Sequence, residues 1–468
     1  MFGEMSGGKR IWVLGAGGSG VAAARLARRE GASVTLADVG DTPRLRAVAS
    51  ELSAEGVEVR LGWSVPSVAP SCDVCVCSPG VAVGSPMERC FSGSGCPVVS
   101  ELAFGGARCP WPRLAVTGTN GKTTVVEMVR HILSVCGRRV EAAGNIGLPL
   151  SALAMEPGRE LDWLVVEVSS FQLEHTRAFP VRAAALLNLT PDHLNRHGTM
   201  AAYLALKLRL LEQVEAGGVC VVGAGLLSEP AVQAAVAGRR VVTFSSSEDE
   251  ASDYGVRAGV LCRRRAGDVY EALVPCEELP FVGRHNHENC LAAVALCEAA
   301  GVAPAEAAAA LRSFRVGPHR MEVVCEDAAH GVRYVDDSKA TNLDALVQSV
   351  RRFDGGRGDI ALIAGGVAKG CDLGPALPEL TGRVCGAFLI GESRLALASA
   401  WGGAVPCVVC GSLEEAVSRA DACVVSRGGG TVLLAPGCAS QDMFADYVER
   451  GRRFAEASRG LVASRSRG

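Results

Sequence analysis

The chain has 468 residues, of which 49% are hydrophobic and 21% are charged, and its formal net charge is −3. This length exceeds what one ordinary hydrophobic core fills, so we expect two or three domains. The small net charge provides no field that would attract nucleic acid or an anionic membrane, and no apolar run reaches the roughly 18 residues of a membrane-spanning helix.

The N-terminal segment leads directly into a strand pattern at Ile11–Leu14 rather than into a signal peptide, so we expect a cytoplasmic protein. Further strand patterns at residues 33–38, 57–62 and 73–80 alternate with helical stretches. This alternation predicts βαβ units that build a parallel sheet. A stretch rich in Pro, Gly and Arg at residues 105–113 then indicates a linker.

Two more series of strand patterns follow the linker. The second series lies at residues 114–118, 163–170, 183–190, 218–223 and 241–244. The third lies at residues 332–338, 360–366, 387–392, 423–426 and 431–437. Helical or loop sequence follows each strand, so we predict an α/β protein of three domains, residues 1–107, 108–315 and 316–468.

A glycine-rich turn with the sequence GAGGSG follows the first strand and precedes a helix. Gly15, Gly17 and Gly20 fit the pattern G-x-G-x-x-G, and Asp38 ends the next strand, where an acidic residue contacts a ribose in dinucleotide-binding folds. The pattern favours a Rossmann-like N-terminal domain that binds a diphosphate at the start of the helix. It does not distinguish NAD from a UDP-linked substrate.

A second candidate phosphate loop, AVTGTNGKTT, spans residues 115–124 and departs from G-x-x-x-x-G-K-[ST] because Val116 stands at the first glycine. The loop still lies between a strand and a helix, where N–H groups and the helix dipole favour an anion. We therefore predict a central P-loop ATPase-like domain, with Lys122 at the outer phosphates and Thr123 on Mg²⁺. The predicted nucleotide-binding residues of the loop are Gly118, Thr119, Asn120, Gly121, Lys122, Thr123 and Thr124.

Glu167 and His193 each fall at or just past the carboxyl end of an apolar strand. In parallel sheets this edge lines the ligand crevice. A carboxylate and an imidazole there could bind a metal ion near the phosphates of the loop. The alternative for His193 is a hydrogen-bonded core residue.

The chain contains 19 cysteines, and CDVCVC, with Cys72, Cys75 and Cys77, is the best candidate for a zinc site. The run lies in a strand pattern, and no second ligand pair stands near it in the sequence. The odd count in a chain without a signal peptide argues against a disulfide framework. We therefore expect cysteine to serve mainly as a small buried hydrophobic residue.

Five motifs together resemble the Mur ligase family of ATP-dependent amide-forming enzymes of peptidoglycan precursor synthesis. They are TGTNGKTT, GNIG, EVSSFQLE, NLTPDHLNRH and GRHNHENCLAA. In the last domain YVDDSKATN, AGGVAKGCD and LLAPGCASQDMFADYVERG resemble the D-glutamate-adding members. The resemblance implies that ATP phosphorylates the carboxylate of UDP-N-acetylmuramoyl-L-alanine, and that D-glutamate then attacks the acyl phosphate. The Val116-containing loop is the family's own form of the phosphate loop.

The resemblance also implies roles for residues of the central domain. Lys122 would neutralise phosphate charge, Thr123 and Glu167 would hold one Mg²⁺, and His193 would hold a second. Lys207 matches the family's carbamylated lysine, a metal ligand, whereas a lysine taken alone is usually solvated. The implied contacts to the muramoyl-alanyl group are Asn145 and Ser169, and those to adenine are Asn286 and Asn289.

Both outer domains would supply further contacts. Arg320 would bind phosphate and Asp337 ribose, so ATP would touch two domains and closure on substrate is expected. The implied UDP-substrate contacts are Gly15, Gly17, Asp38, Ser78 and Gly80. The implied D-glutamate contacts are Lys339, Thr341, Lys369, Ser440 and Tyr447, although Tyr447 is equally consistent with ordinary core.

Three alternatives stay open at this point. A folylpolyglutamate synthase would share the loop and the Mg²⁺ ligands but not a UDP-linked substrate. An NAD-dependent oxidoreductase would use GAGGSG but leave the phosphate loop unexplained. A non-catalytic nucleotide-binding regulator would not need Lys122, Glu167, His193 and Lys207 together. No coiled-coil pattern is visible, so a monomer is expected.

Overall fold

The computed structural model of the protein describes residues 8–66, 68–156, 158–248, 251–267, 269–280, 283–315, 317–353, 358–368 and 372–465. The chain forms two compact units. The first contains the chain up to Leu189 together with Thr199–Phe314, and the second contains Thr190–Gly198 together with the chain from Arg315 onward. The described strands form three sheets of five, nine and six strands.

The first sheet has the strand order β3-β2-β1-β4-β5, and every pairing in it is parallel. Helices follow four of its strands, which is the Rossmann-like arrangement that the sequence predicts. Its elements are β1 (Arg10–Leu14), α1 (Gly18–Arg29), β2 (Ser33–Ala37), α2 (Pro43–Ala54), β3 (Glu58–Arg60), β4 (Val74–Cys77), α3 (Pro86–Ser92), β5 (Val98–Ser100) and α4 (Glu101–Gly106).

The second sheet has the order β14-β13-β12-β11-β10-β9-β6-β8-β7, and β6 with the phosphate loop lies inside it. Its first elements are β6 (Arg113–Thr117), α5 (Lys122–Val135), β7 (Val140–Gly144), α6 (Leu150–Leu153), β8 (Trp163–Glu167), α7 (Ser170–Leu173) and β9 (Val181–Leu186). The chain continues with α8 (Leu194–His197), which belongs to the second unit, and then α9 (Met200–Glu212), β10 (Val214–Gly223), α10 (Pro230–Val236) and β11 (Arg240–Ser245).

An antiparallel extension follows β11, and the sequence reading did not foresee it. It consists of β12 (Tyr254–Arg257), β13 (Val260–Arg264) and β14 (Tyr270–Pro275). Ala258 and Gly259 join β12 to β13 with φ values of 47° and 74°, as a two-residue hairpin requires. The unit ends with α11 (Arg284–Ala299) and α12 (Pro304–Ala310). Short 3₁₀ turns span Ala224–Ser228, Cys276–Glu278 and Leu311–Ser313.

The third sheet has the order β15-β16-β20-β17-β18-β19, and all pairings except β15 with β16 are parallel. Its elements are β15 (Glu322–Asp327), β16 (Val332–Asp336), α13 (Leu343–Arg351), β17 (Ile360–Gly365), α14 (Leu377–Leu380), β18 (Val384–Ile390), α15 (Arg394–Trp401), β19 (Cys407–Val409), α16 (Leu413–Val425), β20 (Gly430–Leu434) and α17 (Tyr447–Arg465), with a 3₁₀ turn at Gly374–Ala376.

The predicted strand at residues 423–426 is wrong, because Cys423–Val425 forms the end of α16. Ser412 caps this helix by accepting a hydrogen bond from the Glu415 N–H at 3.1 Å. The buried apolar positions are Leu413, Ala416, Val417, Ala420 and Val424. This spacing is helical, so burial of one face outweighs the strand preference of two adjacent valines.

Each sheet is packed on both faces by apolar side chains. In the central sheet one cluster covers the face under α5 and α11, and another covers the face under α6 and α9. The near-continuous apolar strands of β6, β8, β9 and β10 are typical of parallel sheets buried on both sides. Among the described residues, no helix has the length and hydropathy needed to cross a bilayer.

Candidate active site

The phosphate loop joins β6 to α5 in the first unit. Val116 is fully buried in β6 and pairs with Glu167 of β8 and Ala185 of β9, so the position needs no glycine because the backbone is still a strand. Gly121 is the N-cap of α5 with φ of 81°, a left-handed conformation that favours glycine. The missing glycine therefore leaves the phosphate-facing part of the loop unchanged.

The side chain of Asn188 holds the backbone of the phosphate loop, a role that the sequence analysis did not predict. Its Oδ1 accepts from the N–H groups of Thr119 and Asn120 at 3.1 and 2.9 Å, and its Nδ2 donates to the Asn120 carbonyl at 3.1 Å. Asn188 follows β9, which pairs with β6. The amide thus fixes the loop shape in advance of any ligand. Its signals in the sequence were its position at a strand end and its place as the first residue of NLTPDHLNRH.

Two lysine ammonium groups converge on one carbonyl of this loop. Lys122 Nζ donates to the carbonyls of Gly118 and Thr119 at 2.9 and 2.7 Å. Lys207 Nζ, on α9, donates to the same Gly118 carbonyl at 2.7 Å and lies 4.3 Å from the centre of the Tyr203 ring. Lys207 is only 1% exposed. Two cations near one oxygen create a strongly positive site, which suits polyphosphate.

A chain of hydrogen bonds runs from the loop to the next strand end. Thr123 Oγ1 donates to Glu167 Oε2 at 2.6 Å, and Asn145 Nδ2 donates to Glu167 Oε1 at 2.7 Å. Glu167 ends β8 and is 2% exposed. A hydroxyl and a carboxylate at this separation offer the oxygen ligands that Mg²⁺ takes beside nucleotide phosphates. Thr124, the next residue of α5, is also buried.

A cavity of about 890 Å³ lies beside this chain, in the first unit. Six of the residues predicted to contact the UDP-linked substrate line it, namely Gly15, Gly17, Asp38, Ser78, Gly80 and Asn145. Asn145 is therefore common to the cavity and to the hydrogen-bond chain that ends at the phosphate loop. Residues that are far apart in the sequence therefore line one cavity.

The glycine-rich turn is shaped by tight backbone packing. A Cβ added to Gly20 would lie 1.8 Å from the Gly15 carbonyl oxygen, so α1 can approach β1 this closely only with glycine there. Asp38 accepts hydrogen bonds from the N–H groups of Ala16 and Gly40, each at 2.7 Å. Ser78 Oγ donates to the Gly15 carbonyl at 3.1 Å. The carboxylate of Asp38 is thereby fixed at the cavity wall.

Ser169 has a local role in the structure. It is the N-cap of α7, where its Oγ accepts from the Gln172 N–H at 3.3 Å and Gln172 Oε1 accepts from the Ser169 N–H at 2.9 Å. This reciprocal pair is a capping box. Gln172 lines the cavity, so it is a candidate contact that the sequence reading missed.

Asn286 and Asn289 lie three residues apart in the first turns of α11 and are both buried. Asn289 packs against the phosphate loop, since a Cβ added to Gly121 would lie 2.3 Å from Asn289 Oδ1. Residues three apart share a helix face. Two amides on this face can both donate to and accept from a purine base.

His193 lies in the second unit as the N-cap of α8, with a left-handed φ of 56°. The adjacent Asp192 is buried, and its Oδ1 accepts from the His193 N–H at 2.8 Å. Asn342 Nδ2 donates to Asp192 Oδ2 at 3.3 Å. His193 is thus not a core residue, because 27% of its side-chain surface is exposed to solvent. Its backbone is held in a strained conformation.

A second strained turn surrounds Arg320 in the second unit. The neighbours of Arg320, His319 and Met321, have φ values of 62° and 53°, and strain of this kind concentrates at functional sites. Asp337 accepts from the Met321 N–H at 3.2 Å and from Ser349 Oγ. Burial raises the pKa of Asp337, and Arg320 opposes that rise through its charge. The residue that follows Arg320 is therefore hydrogen-bonded to Asp337, the second predicted ATP contact.

Of the predicted D-glutamate contacts, Lys339, Thr341 and Ser440 lie on loops that follow strands of the third sheet, and Tyr447 is the first residue of α17. Lys339 Nζ donates to the Tyr447 hydroxyl at 3.0 Å and lies 4.6 Å from the centre of that ring. The Thr341 N–H donates to the Lys339 carbonyl at 2.9 Å. Ser440 is buried in the loop after β20. Lys369 lies outside the described residues.

The cysteines follow two patterns. Cys75 and Cys77 are buried among Trp12, Phe91 and other apolar side chains, as expected of small hydrophobic residues, and burial raises the pKa of the Cys75 thiol. The expectation that cysteine serves as a small buried hydrophobic residue is wrong for one pair, because Cys72 and Cys96 form a disulfide. Each lies two residues before a strand, and the parallel pairing of β4 with β5 brings them together.

Comparisons with known proteins agree with this geometry. Residues 116–297 match the Mur ligase middle domain. A UDP-N-acetylmuramoylalanine–D-glutamate ligase from Geobacter metallireducens is 39% identical over 457 residues, which cover 97% of this chain and 98% of the relative. A ligase of the same name from Streptomyces avermitilis is 39% identical over 478 residues, covering 97% and 99%.

Solved structures are similar over nearly the whole chain. A UDP-N-acetylmuramate-alanine ligase from Thermotoga maritima aligns with a TM-score of 0.59 at 19% identity, covering 97% of this chain and 100% of that one. The MurF structure from Acinetobacter baumannii aligns with a TM-score of 0.60 at 16% identity, covering 96% and 93%. At such low identity these structures support the fold alone.

Proposed function

The chain belongs to the Mur ligase family, and from this premise we infer that it catalyses the ATP-dependent addition of D-glutamate to UDP-N-acetylmuramoyl-L-alanine. The products are ADP, phosphate and UDP-N-acetylmuramoyl-L-alanyl-D-glutamate, a peptidoglycan precursor. Full-length identity of 39% to ligases of that name supports the assignment. The ATP and the UDP-linked substrate of this reaction favour a cytoplasmic location.

The observation that carries the proposal is the dual position of Asn145. It lines the nucleotide-type cavity and donates to Glu167, which in turn accepts from Thr123 of the phosphate loop. A substrate whose diphosphate lies at the glycine-rich turn would therefore extend its carboxylate toward the γ-phosphate of ATP. A cavity at GAGGSG also favours a UDP-linked substrate over the folylpolyglutamate alternative.

Positioning and charge neutralisation are the main contributions of the protein to such phosphoryl transfer. Lys122, together with the other loop residues 118–124, neutralises and orients the β- and γ-phosphates at the start of α5. The substrate carboxylate attacks the γ-phosphorus, and ADP departs. The amine of D-glutamate then attacks the acyl phosphate, and phosphate leaves the tetrahedral intermediate.

Mg²⁺, as in the family, would screen the charges of the two anions that must meet. We assign Thr123 and Glu167 to one ion and His193 to a second. Lys207 would serve as a carbamate, because its ammonium shares the Gly118 carbonyl with Lys122. Converting one of two adjacent cations to an anion relieves their repulsion and supplies oxygen ligands.

The remaining contacts are assigned by residue. Asn286 and Asn289 would bind adenine, Arg320 phosphate and Asp337 ribose. Ser169 would act through its capping of α7, beside the cavity-lining Gln172. The UDP-substrate contacts are Gly15, Gly17, Asp38, Ser78, Gly80 and Asn145, and the D-glutamate contacts are Lys339, Thr341, Lys369, Ser440 and Tyr447.

Phosphate release by the purified protein tests this function. ATP, Mg²⁺ and UDP-N-acetylmuramoyl-L-alanine are supplied with D-glutamate, L-glutamate, L-lysine or diaminopimelate in turn. We expect release with D-glutamate alone. Turnover only with another amino acid would retain the ligase chemistry and overturn the assignment of Lys339, Thr341 and Ser440.

A further inference from the structure

Arg450, in the first turn of α17, is 1% exposed. Arginine is almost never buried this fully unless it is paired with an acid. Its three described side-chain hydrogen bonds go to neutral oxygens. Nε donates to Ser338 Oγ at 3.0 Å, Nη2 to the Ser338 carbonyl at 2.8 Å and Nη1 to the Cys438 carbonyl at 3.1 Å.

The guanidinium keeps its charge in this environment. Burial lowers the pKa of Arg450 to about 10, and Cys438, Asp442 and Asp336 oppose the decrease only through space. Asp336 is engaged by His319, whose Nδ1 lies 2.6 Å from Asp336 Oδ2. At neutral pH the second unit therefore contains a buried cation without a hydrogen-bonded carboxylate among its described partners.

The acceptors of Arg450 belong to two loops that carry proposed D-glutamate contacts. Ser338 precedes Lys339 and Thr341, and Cys438 lies two residues before Ser440. Ser338 Oγ also donates to the Tyr447 carbonyl at 2.8 Å. One side chain thus ties together the loop after β16, the loop after β20 and the start of α17.

A third loop is held to this assembly by backbone pairing. The N–H of Val367 donates to the Ala439 carbonyl at 2.9 Å, and the reverse bond measures 3.0 Å. A Cβ added to Gly366 would lie 2.0 Å from the Ala439 carbonyl oxygen, so the two loops are in close contact. A displacement of Cys438 would therefore also displace the start of the loop after β17, through the bonds between Ala439 and Val367.

A purely structural account does not explain a cation at this position. Well-packed apolar residues usually stabilise a core at least as well as a buried charge, because desolvating the charge is costly. A positive charge buried where these loops meet does favour an anionic ligand bound to them, since the low-dielectric surroundings screen it poorly. D-glutamate presents two carboxylates to the loops that Arg450 joins.

We propose that Arg450 is a positioning residue of the amino-acid pocket. It fixes the loops that carry Lys339, Thr341 and Ser440 in the arrangement that holds both carboxylates, and it places a positive charge where these loops meet. The inference rests on the proposed D-glutamate ligase function and adds a residue that would not touch the substrate itself.

Steady-state kinetics of Arg450→Met and Arg450→Lys test the proposal, with Arg452→Met as the matched control. Arg452 lies on the same helix with 63% of its side chain exposed. Arg450→Met should raise the KM for D-glutamate about tenfold or more, because small misplacements of contact groups have large effects. The KM values for ATP and UDP-N-acetylmuramoyl-L-alanine should stay within about twofold. Arg450→Lys keeps the charge and should recover part of the loss, whereas Arg452→Met should match wild type.

The thermal unfolding midpoint is measured for each variant. A folded Arg450→Met with unchanged KM for D-glutamate would overturn the proposal, and so would equal changes in all three KM values. If Arg450→Met does not fold, Ser338→Ala decides the question by removing the hydroxyl shared by Arg450 and Tyr447. It should raise the same KM, and an unchanged value would refute the inference. A wild-type protein inactive with D-glutamate would instead overturn the proposed function.

Discussion

The substitution Gly121→Ala tests whether the phosphate loop and α11 form one nucleotide site. Gly121 has φ of 81°, and an added Cβ would lie 2.3 Å from Asn289 Oδ1. The left-handed conformation alone costs an alanine about 1–2 kcal/mol. The overlap adds a second effect, because either the loop or Asn289 must move by roughly 1 Å to reach an ordinary contact distance.

Gly137→Ala is the matched control. Gly137 follows the other end of α5 with φ of 75°, and an added Cβ would meet nothing within 4 Å. Both variants should therefore lose about 1–2 kcal/mol of stability from the backbone alone. Only Gly121→Ala should lose catalysis, by about 100-fold in kcat/KM for ATP, because displacement of the phosphate-binding groups misaligns the reacting atoms.

The assay combines urea denaturation with phosphate release at varied ATP. Equal stability losses with unequal activities would support a site shared by the loop and Asn289. If Gly121→Ala retained the kcat/KM of Gly137→Ala, the loop would tolerate a 1 Å shift, and the assignment of Asn289 to the nucleotide would be refuted.

Three further predictions concern other groups. Lys207→Ala should abolish turnover, and short carboxylic acids added to the assay should partly restore it; wild-type turnover without additives would exclude the carbamate. Glu167→Gln should raise the Mg²⁺ concentration for half-maximal activity about tenfold or more, measured by phosphate release, and an unchanged Mg²⁺ dependence would remove Glu167 from the metal site. Burial lowers the pKa of His175 and His287, so the unfolded chain binds protons that the fold does not. Stability should be full above the unfolded pKa of about 6.5 and should fall as pH falls below it. The free energy of unfolding is measured by urea denaturation at a series of pH values, and its dependence on pH should be weaker in His287→Asn. A wild-type free energy of unfolding that does not change with pH would contradict the lowered pKa values of the two histidines.

Much of the fold could be predicted from local pattern. The strands that lead into GAGGSG and AVTGTNGKTT are apolar and short, and a helix begins within each of these segments, at Gly18 and at Lys122. The α/β class and the parallel sheets follow from this alternation. The domain boundaries at residues 108 and 316 remain predictions.

The errors arose where tertiary contacts outweigh local preference. Residues 423–425 have the composition of a strand, but burial of one helical face places them in α16. The disulfide between Cys72 and Cys96 depends on which strands are neighbours, and cysteine counting cannot reveal that. The hairpin at Ala258 and Gly259 carries a weak turn signal, because alanine is unusual at positive φ.

The candidate site was predicted as a set of residues but not as a network. The motifs identified Thr123, Asn145 and Glu167 separately, whereas their hydrogen-bond chain required coordinates. Asn188 and Arg450 lie within the motifs NLTPDHLNRH and LLAPGCASQDMFADYVERG, but the motifs assign them no role. The Asn188 side chain bonds the backbone of the phosphate loop, and Arg450 bonds the backbone of two loops in the second unit. The roles of such supporting residues depend on their tertiary contacts, which the sequence alone does not give.

The most direct test of the mechanism follows the oxygen atoms of the substrate carboxylate. UDP-N-acetylmuramoyl-L-alanine labelled with ¹⁸O in both carboxylate oxygens is turned over with ATP, Mg²⁺ and D-glutamate, and both products are analysed by mass spectrometry. Formation of an acyl phosphate predicts one ¹⁸O in the released phosphate and one in the new amide, with a product heavier by one glutamyl unit. Unlabelled phosphate would contradict transfer of the γ-phosphate to the carboxylate and would remove the central claim.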